Sequence, residues 1–278
     1  MNTALVVGFN KKFEELSLPL IKSLLLFSKF DIIVVTYNYK SNINNSRIKL
    51  IQLDNIDEQH VAAIAKMDAC IAAIDKTEYD NFIWVDTDAI ATKHIDHIEK
   101  YFDKVQNYPL VGSHLHEYFL MTDSHHPNGV IPLKFVCEFL NVKIVPHRPW
   151  LHACLFIFNK NCKWFFEECI LEYEKFKHFG YFWIHDELFI NYLMSKYNFP
   201  NHLDVKILNI FKKDVFDEYL ETLVLTEDIF IRSEAVHESD ISSILPKSSE
   251  DLCIFHGITD VNFSKEVLEK YINAIIRL

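Results

Sequence analysis

The sequence predicts an α/β protein: a mostly parallel sheet with helices on both faces. Three observations carry this. The first half alternates short β-branched runs with helical patterns. Half of the 278 residues are hydrophobic, enough for a sizeable core. Charged residues are 24% of the chain, an ordinary share, which excludes disordered and coiled-coil classes. At roughly 150 residues per domain, the length suits one large domain or two small ones.

The elements follow in order. Ala4–Gly8 reads as a buried strand, and Ser17–Phe27 as a helix with Pro19 in its first turn. Asp31–Tyr37 is a second strand, followed by an Asn- and Ser-rich loop to Arg47. Ile48–Leu53 is a third strand. Across Asp57–Ile74 the apolar residues Val61, Ile64, Met67, Ile71 and Ile74 recur at helical spacing. Asn81–Val85 is a fourth strand. This order implies parallel strands joined by crossover helices. Such sheets collect ligands at their carboxyl ends, which favours the residues after Val85.

The pattern loosens after Ile95. Cys154–Phe158 is a clear strand, and Asn159 or Asn161 can cap a helix running to Phe176. His185–Lys196 is amphipathic, Leu252–Phe255 is a late strand, and Ser264–Leu278 is an amphipathic helix. With no repeat and no Pro- or Gly-rich linker, residues 1–278 read as one domain. Residues 1–112 form the ligand-binding front half and residues 113–278 a more irregular rear half.

Composition narrows the function. Only five glycines occur, with neither GxGxxG nor GxxxxGK[ST], so nucleotide binding must use another device. The net charge of −11, without a basic stripe, argues against nucleic acid as a partner. The six cysteines form no CxxC and read as reduced core thiols. The N-terminus lacks the basic and apolar regions of a signal peptide, and no apolar run spans a bilayer. A cytoplasmic protein is expected, with peripheral membrane contact left open. The tail helix is expected to pack on the domain rather than serve a dimer or a membrane surface. The oligomeric state is not legible.

Asp86-Thr87-Asp88 directly follows the strand Phe82–Val85. Carboxylates at i and i+2 leave a strand end on the same side and can hold one divalent ion. An Asp-rich turn is the alternative. Asp186 and Glu187 open the helix HDELFIN, where acidic residues also suit the helix dipole. His256 follows the strand LCIF, and a neutral imidazole is a good ligand for manganese-type ions. The polar stretch from Ser113 to Gly129 carries His114, His116, His125 and His126 in no trusted metal spacing and reads as an acceptor-side loop. Trp150, after His147 and Arg148, suits either stacking on a ligand or packing.

These residues resemble, in order, those of GT-A glycosyltransferases, and most of all glycosyltransferase family 8. The resemblance covers most of the chain. ALVVGFN…LPLIKSLL is similar to the opening strand and helix, and NFIWVDTDAIATKHID to the DxD segment. HACLFIFNK resembles the family's N-A-G-V-x-x-x-N strand, with His152-Ala153-Cys154 in place of Asn-Ala-Gly. HDELFIN resembles D-Q-x-x-L-N, with Glu187 for Gln, and FHGITD resembles the C-terminal metal-binding histidine segment without its Lys-Pro-Trp.

The resemblance implies a GT-A fold and transfer of a hexose from a nucleoside diphosphate sugar, UDP-linked, to a glycan or glycolipid acceptor. It implies Mn²⁺ or Mg²⁺ held by Asp86, Asp88 and His256. Val7, Gly8 and Phe9 would border the uracil and ribose, and Lys66 would take the place of a basic donor-binding residue, the alternative being a solvated helix lysine. Asp186 and Glu187 would lie near the anomeric carbon. Retention is favoured over inversion, in which one of the two would act as general base. The same site would also serve a sugar-nucleotide hydrolase, or a silent GT-A binding module.

Overall fold

The computed structural model describes residues 2–114, 141, 151–177, 186–199, 206–209, 252–256, 258 and 260–277. Six strands form the main sheet, in the order β3-β2-β1-β4-β7-β6. They are β1 (Thr3–Asn10), β2 (Asp31–Tyr37), β3 (Ile48–Leu53), β4 (Asn81–Val85), β6 (Leu110–His114) and β7 (Leu151–Asn159). β1 to β4 run parallel, whereas β7 is antiparallel to both β4 and β6. A small sheet, in the order β5-β9-β8, joins β5 (Ala89–Ala91), β9 (Leu252–His256) and β8 (Lys206–Asn209).

Strand alternation divides the core in two. Ala4, Val6, Ile33, Val35, Phe82 and Trp84 face one layer, with Phe156 and Phe158. There they meet α3 (Ala65–Lys76), α4 (Lys163–Phe176) and α5 (Asp186–Lys196). Leu5, Val7, Ile32, Val34, Ile83 and Val85 face the other layer, against α1 (Glu14–Phe27). Because successive strand residues point to opposite faces, strands covered on both sides are apolar throughout. That is why β4 reads NFIWV without a polar interruption after Asn81.

Two helix expectations are corrected. α1 begins at Glu14, a turn before Ser17, because the Asn10 side chain caps the preceding 3₁₀ turn through Lys12 N–H and Phe13 N–H. The helix expected over Asp57–Ile74 is two helices, α2 (Glu58–Ala63) and α3. The chain breaks at Ile64, whose φ of −143° and ψ of −5° leave the helical region. Tyr37 donates to the Ala65 carbonyl at 3.0 Å, so the start of α3 is tied to β2.

The small sheet hangs on α1. The buried Ser23 hydroxyl accepts the Ala91 N–H at 2.9 Å, and α6 (Val261–Arg277) receives the Lys93 N–H on Tyr271 Oη at 3.2 Å. α6 also packs on α1, as expected of the tail helix, and Leu278, the end of the expected span, lies outside the described residues. Cys70, Cys154, Cys162 and Cys169 are buried and unbridged, as the sequence predicts. Among the described residues no helix is long and apolar enough to cross a membrane.

Candidate active site

Asp86 and Asp88 lie at the carboxyl end of β4, where the sheet changes from parallel to antiparallel neighbours. Asp86 continues the Phe82–Trp84 face of the strand, so its carboxylate turns towards α3. There it meets two donors through the same oxygen. Trp84 Nε1 donates to Asp86 Oδ1 at 2.6 Å, and Lys66 Nζ lies 2.9 Å from it. The Asp86 N–H donates to the Cys154 carbonyl at 2.9 Å, continuing the β4–β7 ladder by one bond.

Lys66 joins this strand end to α5. Its Nζ lies 2.5 Å from Asp186 Oδ2 and donates to the Ala153 carbonyl at 2.9 Å. The Lys66 side chain is only 13% exposed. Burial alone would press its pKa down, but the Asp186 and Asp86 carboxylates override this and hold it well above the ordinary lysine value. The ammonium also lies 5.5 Å from the Trp84 ring centroid.

Glu187 and Asn191 face β7. Glu187 Oε2 accepts the Ala153 N–H at 3.1 Å and lies 3.5 Å from His152 Nδ1. Asn191 accepts the Leu151 N–H and donates to the Leu151 carbonyl, both at 2.9 Å. It also donates to the Glu187 carbonyl at 2.8 Å. The reason lies in the sheet. The β6–β7 register slips between Gly112 and Ser113, whose partners are Phe156 and His152, and the β4 register ends at Leu155. Side chains from α5 and α3 take up β7 backbone groups there, as buried peptide groups require partners.

The remaining predicted residues fall as follows. Val7 and Phe9 are buried in the α1-side core, so their side chains serve packing. Gly8 is half-buried, and a Cβ there would stand 2.4 Å from Tyr37 Oη and 2.9 Å from Trp84. Its hydrogen makes room for the Tyr37 and Trp84 rings. His256 pairs with Ala89 across the small sheet, and the Ile258 N–H donates to the Asp88 carbonyl at 2.9 Å. The backbone thus brings His256 opposite the residue after Asp88, while its imidazole is outside the described side chains. Among the described side chains, no group of three or more His, Cys, Asp and Glu residues forms a metal cluster.

Burial pushes the Cys154 thiol far up, helped by the charges of Asp86, Asp88 and Glu187 and opposed by Lys66. It stays protonated and is no nucleophile at neutral pH. The loop carrying His116, His125 and His126, the residues His147, Arg148 and Trp150, and the helix start at His185 lie outside the described residues. Sequence spacing did not reveal the Lys66–Asp186 and Asn191–Leu151 contacts, which join separate elements. The one signal was Asn191 within HDELFIN.

No family model matches this chain, and no curated protein does. Solved structures do. The chain is similar to the bifunctional glycosyltransferase WbbM, with a TM-score of 0.58 at 13% identity over 98% of this chain. It spans only 50% of the WbbM chain. It is also similar to the galactosyltransferase LgtC in complex with donor and acceptor sugar analogs, with a TM-score of 0.56 at 10% identity. That match covers 96% of this chain and 95% of LgtC. An active-site Gln-to-Glu mutant of LgtC gives a TM-score of 0.57 at 10% identity, with the same coverage of both chains. The chain therefore has the α/β fold of these glycosyltransferases, the GT-A type that its motifs imply.

Proposed function

We propose that this chain is a metal-dependent glycosyltransferase. It moves a hexose from a nucleoside diphosphate sugar, UDP-linked, to a hydroxyl of a glycan or glycolipid, with retention at the anomeric carbon. One observation carries the reading: Asp86 and Asp88 end the central strand, with Asp186 held beside Asp86 through Lys66 and the His256 backbone opposite Ala89. The LgtC complex with donor and acceptor sugar analogs supports sugars as the ligands of this fold.

Two carboxylates and a histidine on the adjoining strand are a donor set that suits Mn²⁺ or Mg²⁺. Asp86, Asp88 and His256 would hold the ion, which when bound supplies Lewis-acid stabilisation of the departing diphosphate. The protein supplies the rest. Asp186 faces the reacting sugar and stabilises positive charge developing at the anomeric carbon. Glu187, committed to Ala153 N–H and His152, orients β7 beneath that sugar. The acceptor oxygen bonds to the anomeric carbon on the face from which the diphosphate leaves. Its proton passes to the departing phosphate oxygen.

A panel of nucleotide sugars, assayed with and without glycan acceptors, tests this reading. Asp86→Ala and Asp88→Ala should each lower transfer by about a thousandfold, as loss of transition-state electrostatics does. Full activity in either variant would overturn it. Equal rates of sugar release with and without acceptor would identify a hydrolase instead. The anomeric configuration of the product, read by NMR, tests retention.

A further inference from the structure

Lys66 makes three contacts, and an ammonium has three N–H donors and no acceptor. The Ala153 carbonyl accepts one at 2.9 Å, and Asp86 Oδ1 and Asp186 Oδ2 lie 2.9 and 2.5 Å from the same nitrogen as ion-pair partners. A lysine that grips a diphosphate or a sugar hydroxyl must keep a donor for it. Here the ammonium is already engaged by a carbonyl and two carboxylates, and the side chain, only 13% exposed, lies beside Trp84.

The placement of Lys66 is itself determined. Tyr37 holds the Ala65 carbonyl, one residue away, and Gly8 leaves the room in which the Tyr37 ring lies. The break at Ile64 restarts the helix just before Lys66. A chain of contacts thus runs from β1 through β2 to the start of α3. It then runs through one ammonium to β4, β7 and α5.

We infer that Lys66 is a positioning residue: its ammonium fixes the spacing between Asp86 and Asp186 and does not contact the donor. Without it, two partly buried carboxylates, Asp86 and Asp186, would lie close together with the Lys66 charge removed. Charge repulsion would part them. This inference rests on the transferase reading for its kinetic consequence, but not for its structural one.

The experiment compares Lys66→Met, Lys66→Arg, Asp186→Asn and the double variant Lys66→Met/Asp186→Asn. In thermal unfolding, the double variant should be no less stable than Lys66→Met alone, because removing the second charge relieves the repulsion. Additive losses in this cycle would overturn the clamp. In kinetics, Lys66→Met should lower kcat by about a hundredfold, the scale of a 1 Å misplacement, with donor KM within about threefold of wild type. Lys66→Arg, which keeps the charge, should recover at least tenfold of that loss. A donor KM raised by about tenfold with kcat retained would show direct donor contact and sink the proposal. If Lys66→Met does not fold, Lys66→Arg is read in its place, and a donor KM within about threefold of wild type is expected. Wild-type protein inactive on every nucleotide sugar would refute the transferase reading, while the unfolding cycle would still decide the clamp.

Discussion

β1 and β7 both flank β4, and they are held in different ways. β1 pairs with β2 from Ala4 to Asn10 and with β4 from Thr3 to Val6, backbone to backbone. β7 pairs with β4 only as far as Leu155, and its opening residues hydrogen-bond to side chains. Asn191 takes both polar groups of Leu151; Glu187 and Lys66 take those of Ala153. The first arrangement needs nothing of its side chains except apolar bulk. The second needs a particular amide, carboxylate and ammonium. Candidate catalytic groups lie where the ladder stops, because the lysine that helps to satisfy that backbone also pairs with Asp86 and Asp186.

The sharpest way to break this contrast is Asn191→Leu. It leaves the Leu151 N–H and carbonyl buried without their partner and should cost about 2–4 kcal/mol in chemical denaturation. Ile33→Val, on the backbone-paired side, should cost only about 1 kcal/mol. Equal costs would erase the distinction.

Gly8→Val comes next. Any Cβ there meets Tyr37 Oη, so the ring must leave the Ala65 carbonyl. A loss of about 1–3 kcal/mol is expected, the scale of overpacking. Kinetics should fall with it, because Ala65 adjoins Lys66.

The smallest effect is in alkaline stability. Burial holds the Cys70, Cys154 and Cys169 thiols well above their usual range. The folded state keeps these protons after unfolded thiols ionise near pH 8.5. The unfolded state then binds fewer protons, so stability is fully present below that pH and falls as pH rises above it. Each thiol favours unfolding by about tenfold per pH unit. Denaturation midpoints measured against pH should flatten equally in Cys70→Ala, on α3, and in Cys154→Ala, on β7. A smaller flattening in Cys154→Ala than in Cys70→Ala would mean that the β7 region is wetter than the front.

The same contrast explains what the sequence could reveal. The bounds of β2 and β4 were legible because each is an apolar run buried on both faces, and those of β3, an edge strand with only Ile51 buried, because an Asn- and Ser-rich loop precedes it. The Asp86–Asp88 pair was legible because it interrupts such a run. β5 has three residues, too few to show a period, and β8 has four. The break at Ile64 was hidden because its apolar spacing continues into α3. Lys66 read equally well as a solvated helix residue, since its partners lie on β4, β7 and α5. Side chains that substitute for a strand leave no periodic trace.

The pairing of Ala89 with His256 has a bearing on how the molecule comes into being. β5 is synthesised well before β9, the neighbour that pairs with it. A nascent polypeptide therefore displays both aspartates long before the strand beside them exists. Competence to grip a cation there, on this reading, arrives only once that later strand has been synthesised.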